Sequence, residues 1–187
     1  MTERNTDIAF AIPAIMEATM FAADKHRGQK RKDAQKTPYI NHPIYVVHLM
    51  SGAGGITDIE ALQAGMLHDT VEDTDTSPEE IETLFGYAVR SLVMEVTDDK
   101  KLEKQERKRI QIEKAPRLSA RAKVIKLADK IANLTDILVS PPAHWSPERR
   151  QQYVDWSNKV IAGCRGHNER LEEIYDARVM EAKARLM

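Results

Sequence analysis

His68 and Asp69 stand side by side in the run Met66-Leu67-His68-Asp69-Thr70-Val71-Glu72-Asp73-Thr74, with two more carboxylates, Glu72 and Asp73, directly behind them. An imidazole and a carboxylate that close an apolar segment are expensive to bury unless they are paired or bind a metal. A divalent cation in their midst would offset that cost. It would also bring hydrolytic chemistry, because a metal acidifies water and polarises a phosphoryl oxygen. An ion pair at a helix end would use the same two residues, so the dipeptide calls for the rest of a ligand set elsewhere.

Two residues can complete it. His42 lies in Thr37-Pro38-Tyr39-Ile40-Asn41-His42-Pro43, just ahead of a proline-initiated helix, and Asp129 lies far along the chain in Lys126-Leu127-Ala128-Asp129. Together with His68 and Asp69 they supply two nitrogen and two oxygen ligands from three separate helices, leaving positions open for water and phosphate on a six-coordinate ion. Imidazole and carboxylate without thiolate suit Mn, Fe, Co or Zn better than Ca or Mg. Spacing by itself does not join the four. His26, His48, His144 and His167 read as packed or surface residues, and His42 taken alone reads the same way.

The elements that must position these groups are helical throughout. Helices are expected near 13–27, 43–51, 58–69, 78–85, 87–97, 103–115, 119–138 and 147–163, with a last one near 167–185. Pro13 and Pro43 suit first-turn positions, Thr57-x-x-Glu60 and Ser77-Pro78-Glu79-Glu80 read as capping boxes, and Ser146-Pro147 opens another helix. Gly28 and Gly86 sit where a left-handed C-terminal cap is needed. No segment alternates with period two for long enough to make a strand. The fold class is all-α: a single-domain helical bundle spanning 1–187.

Two helices matter most. In 58–69, Ile59, Leu62, Met66 and Leu67 alternate with Ala61, Ala64 and Gly65. A helix apolar or small nearly all round belongs in the centre of a fold, which delivers His68-Asp69 to the interior. In 119–138 the apolar residues cover about half the circumference at roughly 100° per residue. Lys123, Lys126 and Lys130 fall on the opposite side, and Asp129 and Asn133, four residues apart and so neighbours, fall at the edge of the apolar arc.

Composition excludes several roles. The chain of 187 residues is 42% hydrophobic and 30% charged with a formal net charge of −1, an ordinary globular balance with no global field for nucleic acid or an anionic membrane. Aromatic residues are few, at 5%, which also argues against base stacking. Cys164 is the only cysteine, so no internal disulfide and no cysteine-based zinc finger can form, as suits a reducing cytosol. The apolar stretch from Ile8 to Met16 is too short and too mixed for a signal peptide, and no run approaches the ~20 apolar residues of a membrane span. A cytoplasmic protein is expected.

Positive charge is local. Lys30, Arg31, Lys32 and Lys36 precede His42, and Lys100, Lys101, Lys104, Arg107, Lys108 and Arg109 follow Thr97-Asp98-Asp99. These are either solvated helix faces or groups that neutralise a polyphosphate, whose oxygens match Arg and Lys in charge and geometry.

With these residues assembled, the sequence resembles the HD-domain phosphohydrolases, in particular the small alarmone hydrolases, the hydrolase domain of the Rel/SpoT family and its metazoan SpoT homologues. The runs that carry the resemblance are TPYINHP (37–43), MLHDTVEDTDTS (66–77), VTDDKKLEKQERKR (96–109) and KLADKIANL (126–134). The resemblance implies hydrolysis of ppGpp and pppGpp to GDP and GTP plus pyrophosphate, with one Mn²⁺ per chain. It implies His42, His68, Asp69 and Asp129 as metal ligands and Glu72 and Asp73 as the groups that activate water and move protons. Arg31 and Lys32 match a loop that holds the guanine and ribose end, and Lys104, Asn133, Arg149 and Tyr153 match positions lining the substrate cleft. Ala132 and Thr135 depart from the family, where a bulkier and a basic residue are usual.

Two other readings keep the same scaffold. One is a 2′-phosphatase acting on NADPH at the same site, and the other is a non-catalytic nucleotide-binding HD module. The intact HDTVED run favours catalysis over the second.

Overall fold

The computed structural model describes residues 3–186, with side chains from Phe10 onward. Its helices are α1 (Glu3–Lys25), α2 (Asn41–Ser51), α3 (Ile59–Leu67), α4 (Thr70–Asp73), α5 (Pro78–Val96), α6 (Lys104–Lys114), α7 (Ala120–Val139), α8 (Pro147–Ala162) and α9 (Glu169–Leu186). A short 3₁₀ turn at Ala115–Arg117 joins α6 to α7. Among the described residues the only β-type pairing is an isolated bridge between Lys30 and Pro38. None of these helices is long and apolar enough to cross a membrane.

Every residue of α3 from Ala61 to Leu67 is buried, and the helix is packed between α1, α2, α5 and α7. Gly65 permits its closest approach to α2, since a Cβ there would stand 2.7 Å from the Met50 sulfur. α7 packs in turn against α2, α5, α8 and α9, burying Ile125, Leu127, Ile131 and Leu134. The inner helices α2 and α7 therefore carry His42 and Asp129, and His68-Asp69 follows directly on the end of α3.

Several boundaries differ from the sequence expectation. Pro13 lies inside α1 rather than at its start. The cap of α3 is Asp58, whose side chain accepts from the Ala61 amide at 3.1 Å, so Thr57 does not form the capping box. Ser77 and Ser146 do cap α5 and α8, accepting from the Glu80 and Arg149 amides. The expected helices 78–85 and 87–97 are two arms of α5, broken at Gly86 with φ 86° and ψ 165°. There and at Gly28, φ 83°, only glycine is free of strain.

Candidate metal centre and active site

α3 stops at Leu67 because the chain turns before α4. The fully buried Thr70 donates its hydroxyl to the Leu67 carbonyl at 2.7 Å, and the Asp73 amide donates to the Asp69 carbonyl at 2.8 Å. This tight turn points His68 and Asp69 inward and sets Glu72 and Asp73 beside them.

The four candidate ligands converge. His68 Nε2 is 3.0 Å from Asp69 Oδ2 and 3.8 Å from Asp129 Oδ1; His42 Nε2 is 3.2 Å from Asp129 Oδ1 and 3.7 Å from Asp69 Oδ2. Ligand atoms of His42, His68 and Asp69 all lie within 4.8 Å of one another. His68 Nδ1 donates to the Gly65 carbonyl at 2.8 Å, which assigns the tautomer and turns Nε2 toward the cluster. That Nε2 is buried without a hydrogen-bond partner. A buried ring nitrogen that faces two carboxylates is satisfied by positive charge, a proton in the metal-free protein or a bound cation in its place. The electrostatics agree. Burial disfavours a charged His68, yet Asp69 and Asp129 outweigh it and raise the imidazole to about 9. The centre attracts positive charge, and the residues fit a divalent ion.

The ligand carboxylates are also held by neighbours. Asp129 Oδ1 accepts from Asn133 Nδ2 at 2.6 Å and Oδ2 from Lys130 Nζ at 2.9 Å. Asp69 Oδ2 accepts from the Tyr39 hydroxyl at 2.6 Å, which also reaches Asp73 Oδ2 at 3.1 Å. Such partners orient ligands and raise their fidelity for one geometry.

The centre forms the floor of a cleft of about 630 Å³ whose walls include Arg31, Lys32, Glu72, Asp73, Asn133 and Tyr153. That volume suits a nucleotide-sized ligand. Glu72 Oε2 accepts from the Asp98 amide at 3.2 Å. Burial first, then the Asp98 and Asp69 carboxylates, push its carboxyl up to about 7, a range suited to a general base near neutral pH. Asp73 is covered by Lys100. Arg31 is not a free cation, because it is paired with Asp136 (Nε–Oδ2 3.0 Å) and Asn133 (2.9 Å). Lys104 and Arg149 stand outside the cleft lining. They are close enough to each other and to Lys32 for like-charge repulsion to lower the Lys104 ammonium, second to burial, and Arg149 stacks over the Trp145 ring at 4.6 Å.

One sequence assignment is corrected outright. Lys130, although opposite the apolar arc of its helix, is not turned away from the core: it is 5% exposed, bonded to Asp129 and 4.8 Å above the Trp156 ring. Lys126 is half-buried, with Nζ donating to the Val96 carbonyl. The ring of Trp156 explains the first, since α8 supplies an apolar and π-rich cover that helix periodicity within α7 cannot reveal. Tyr39, Asp98, Trp145 and Trp156 also line the cleft. Tyr39 and Asp98 could have been found, since Tyr39 lies three residues before His42 in the same run and Asp98 lies in the run 96–109 that carries the resemblance; Trp145 and Trp156 carry no local signal.

An all-helical frame that brings a histidine, a His-Asp pair and a distant aspartate onto one centre is the arrangement of an HD-type metal-dependent domain. A model of the HD domain matches residues 18–160, and the chain belongs to this family. It is 54% identical over 167 residues to the guanosine-3′,5′-bis(diphosphate) 3′-pyrophosphohydrolase of Xenopus tropicalis, covering 89% of this chain and 93% of that one. It is 55% identical to the enzyme of the same name from Homo sapiens (85% and 89% covered) and 57% identical to that of Drosophila melanogaster (84% and 88%). A solved structure described as a metazoan orthologue of SpoT that hydrolyses ppGpp superposes with a TM-score of 0.88 at 52% identity, covering 93% of this chain and 97% of that one. A structure from Listeria monocytogenes has a TM-score of 0.61 at 28% identity, covering 78% and 98%.

Proposed function

We propose that this chain is a Mn²⁺-dependent guanosine-3′,5′-bis(diphosphate) 3′-pyrophosphohydrolase, one HD-type domain over 1–187 that works in the cytoplasm. The observation that carries the reading is the convergence of His42, His68, Asp69 and Asp129 on one centre with Glu72 and Asp73 at its edge, in a cleft bordered by basic residues. The high identity to pyrophosphohydrolases of that name over most of both chains supports the substrate.

His42, His68, Asp69 and Asp129 would hold the ion, which supplies a Lewis acid for a phosphoryl oxygen and acidifies water. Glu72, kept in place by the Asp98 amide, takes a proton from the attacking water, and Asp73 beside it orients that water. The new P–O bond forms at the phosphorus attached to the ribose 3′ oxygen. The bond to that oxygen breaks, and the oxygen takes up the proton that Glu72 removed from the water and remains on the nucleotide as its 3′ hydroxyl. GDP or GTP and pyrophosphate result. Lys32, Lys104 and Arg149 offset the charge of the substrate and of the transition state. Arg31 and Asn133, locked to each other, shape the wall where the nucleoside end rests, with Tyr153 alongside.

Product analysis tests the substrate. Purified protein with Mn²⁺ is expected to convert ppGpp to GDP and pyrophosphate with a higher kcat/KM than for NADPH, whose single 2′-phosphate can yield only orthophosphate. Orthophosphate from NADPH with ppGpp untouched would overturn the assignment, and turnover of neither would favour a binding module.

The ligand set has its own test. His68→Ala is expected to abolish Mn²⁺ binding in calorimetry, and chelation of the parent is expected to lower its melting temperature. A ligand at 100 times its Kd stabilises the folded state by about 2.7 kcal/mol. A His68→Ala variant that binds one equivalent with parental affinity removes His68 from the set.

A further inference from the structure

Among the described residues α6 is the one long helix that buries no side chain, yet two of its residues, four apart, reach the catalytic edge. Gln111 Nε2 bonds to Asp98 Oδ2, and Asp98 is the residue whose amide holds Glu72. Arg107 Nη1 lies 3.7 Å from Glu72 Oε1. Among the described residues, Arg107 is the only cation within ion-pair distance of Glu72, and Glu72 is the only carboxylate within that distance of Arg107.

The side from which Arg107 approaches decides its role. It lies outside the lining of the substrate cleft. It lines instead a second hollow of about 410 Å³ behind the cleft wall, with Asp98, Asp99, Leu102, Ile110 and Lys114. Its Nε is buried there with no hydrogen-bond partner. A guanidinium that touches the base from behind and does not face the substrate has little to offer binding and much to offer the geometry of the base.

We propose that Arg107 is a positioning residue for Glu72, holding its carboxylate against the Asp98 amide from behind the cleft wall so that the free lone pairs face the attacking water. This rests on the reading of Glu72 as the base in ppGpp hydrolysis. The charges around Glu72 make the contact matter. Asp98 faces it from the loop after α5, and Asp69 and Asp73 face it from the α3–α4 turn and α4. The nearby cations Lys100 and Lys126 are engaged by Asp73 and by the Val96 carbonyl. Arg107 of α6 is left as the one cation that opposes these carboxylates at Glu72.

The test is the pH profile of kcat and KM for the Mn²⁺-loaded full chain with Arg107→Met, Arg107→Gln and Arg107→Lys. The two neutral variants are expected to lose about 10- to 100-fold in kcat with KM within about two-fold of the parent, the pattern of an interaction that acts on the chemical step. Their rising limb moves to higher pH, because removing a cation raises the pKa of a neighbouring carboxyl. Mn²⁺ affinity stays at the parental value, and Arg107→Lys keeps the limb in place and recovers most of the rate. A raised KM at unchanged kcat, or an unmoved limb in both neutral variants, overturns the proposal. If one neutral variant does not fold, the other against Arg107→Lys decides it. If the parent itself leaves ppGpp intact, the functional reading fails. The Glu72 carboxyl is then titrated by ¹³C NMR in metal-free parent and Arg107→Gln protein, and an unchanged titration overturns the Arg107 contact as well.

Discussion

Glu72→Gln is expected to slow single-turnover hydrolysis of ppGpp by about 10²–10⁴-fold, the usual worth of a general base, while binding Mn²⁺ as tightly as the parent. The same change is expected to stabilise the metal-free protein above neutral pH. The Glu72 carboxyl, raised from 4.5 to about 7 by burial and then by Asp98 and Asp69, binds its proton more tightly folded than unfolded. Its contribution to stability is therefore fully present below the unfolded value and is lost as pH rises through about 7. At pH 8 the folded protein carries an ionised group it disfavours. At about 1.4 kcal/mol per pKa unit, relieving this is worth up to about 3 kcal/mol. Thermal melts of the two proteins at pH 4 and pH 8 in chelator measure it, with the gap expected at pH 8 and nearly absent at pH 4. Catalytic groups commonly trade stability for reactivity in this way. A variant with a rate within a few-fold of the parent would make Glu72 structural, and a gap of equal size at both pH values would remove its titration as the cause. For the parent, the rising limb of kcat is expected at or below about pH 7, since a cation at Asp69 pulls the Glu72 carboxyl down.

The largest loss of stability is expected for Lys130→Met. The ammonium is 95% shielded, bonded to Asp129 Oδ2 and stacked over Trp156; its pKa is raised because the Asp129 charge overcomes the burial that opposes it. Removing it leaves a buried carboxylate oxygen without a partner, since a methionine fills the space of the lysine stem but cannot donate to it. Breaking one side of a buried pair typically costs about 3–5 kcal/mol. His68, protonated in metal-free protein at neutral pH, compensates part of that charge and places the expected loss near the lower end. For a chain of this size, about 3 kcal/mol corresponds to a melting temperature lower by roughly 6–12 °C. Urea unfolding of metal-free protein checks it, with Lys130→Arg expected to lose less. A loss below about 0.5 kcal/mol would mean that the ammonium is solvated and contributes as a surface charge does.

Much of the architecture could be read before any coordinates. The all-round apolar character of α3 placed His68-Asp69 at the interior, and the caps Ser77 and Ser146 and the breaks at Gly28 and Gly86 follow from side-chain hydrogen bonding and backbone freedom that are local properties. The error at Thr57 is of the same local kind, since Asp58 competes for the same amides and wins by one residue. Pro13 misled because a proline accepted early in a helix and one tolerated inside it leave the same trace in sequence.

What the residues determined by themselves was the helical frame, the His-Asp turn and the chemistry those groups can perform. Only the tertiary structure decided that His42 and Asp129 share their centre, that Lys130 is buried under Trp156, and that Arg107 reaches Glu72 from behind. Periodicity reports which face of a helix is apolar, and that depends on one element alone. Which face meets which partner depends on how α2, α3, α6, α7 and α8 pack. Contacts such as Glu72 with Arg107, between residues distant in sequence and each polar in its own segment, exist only once that packing is complete.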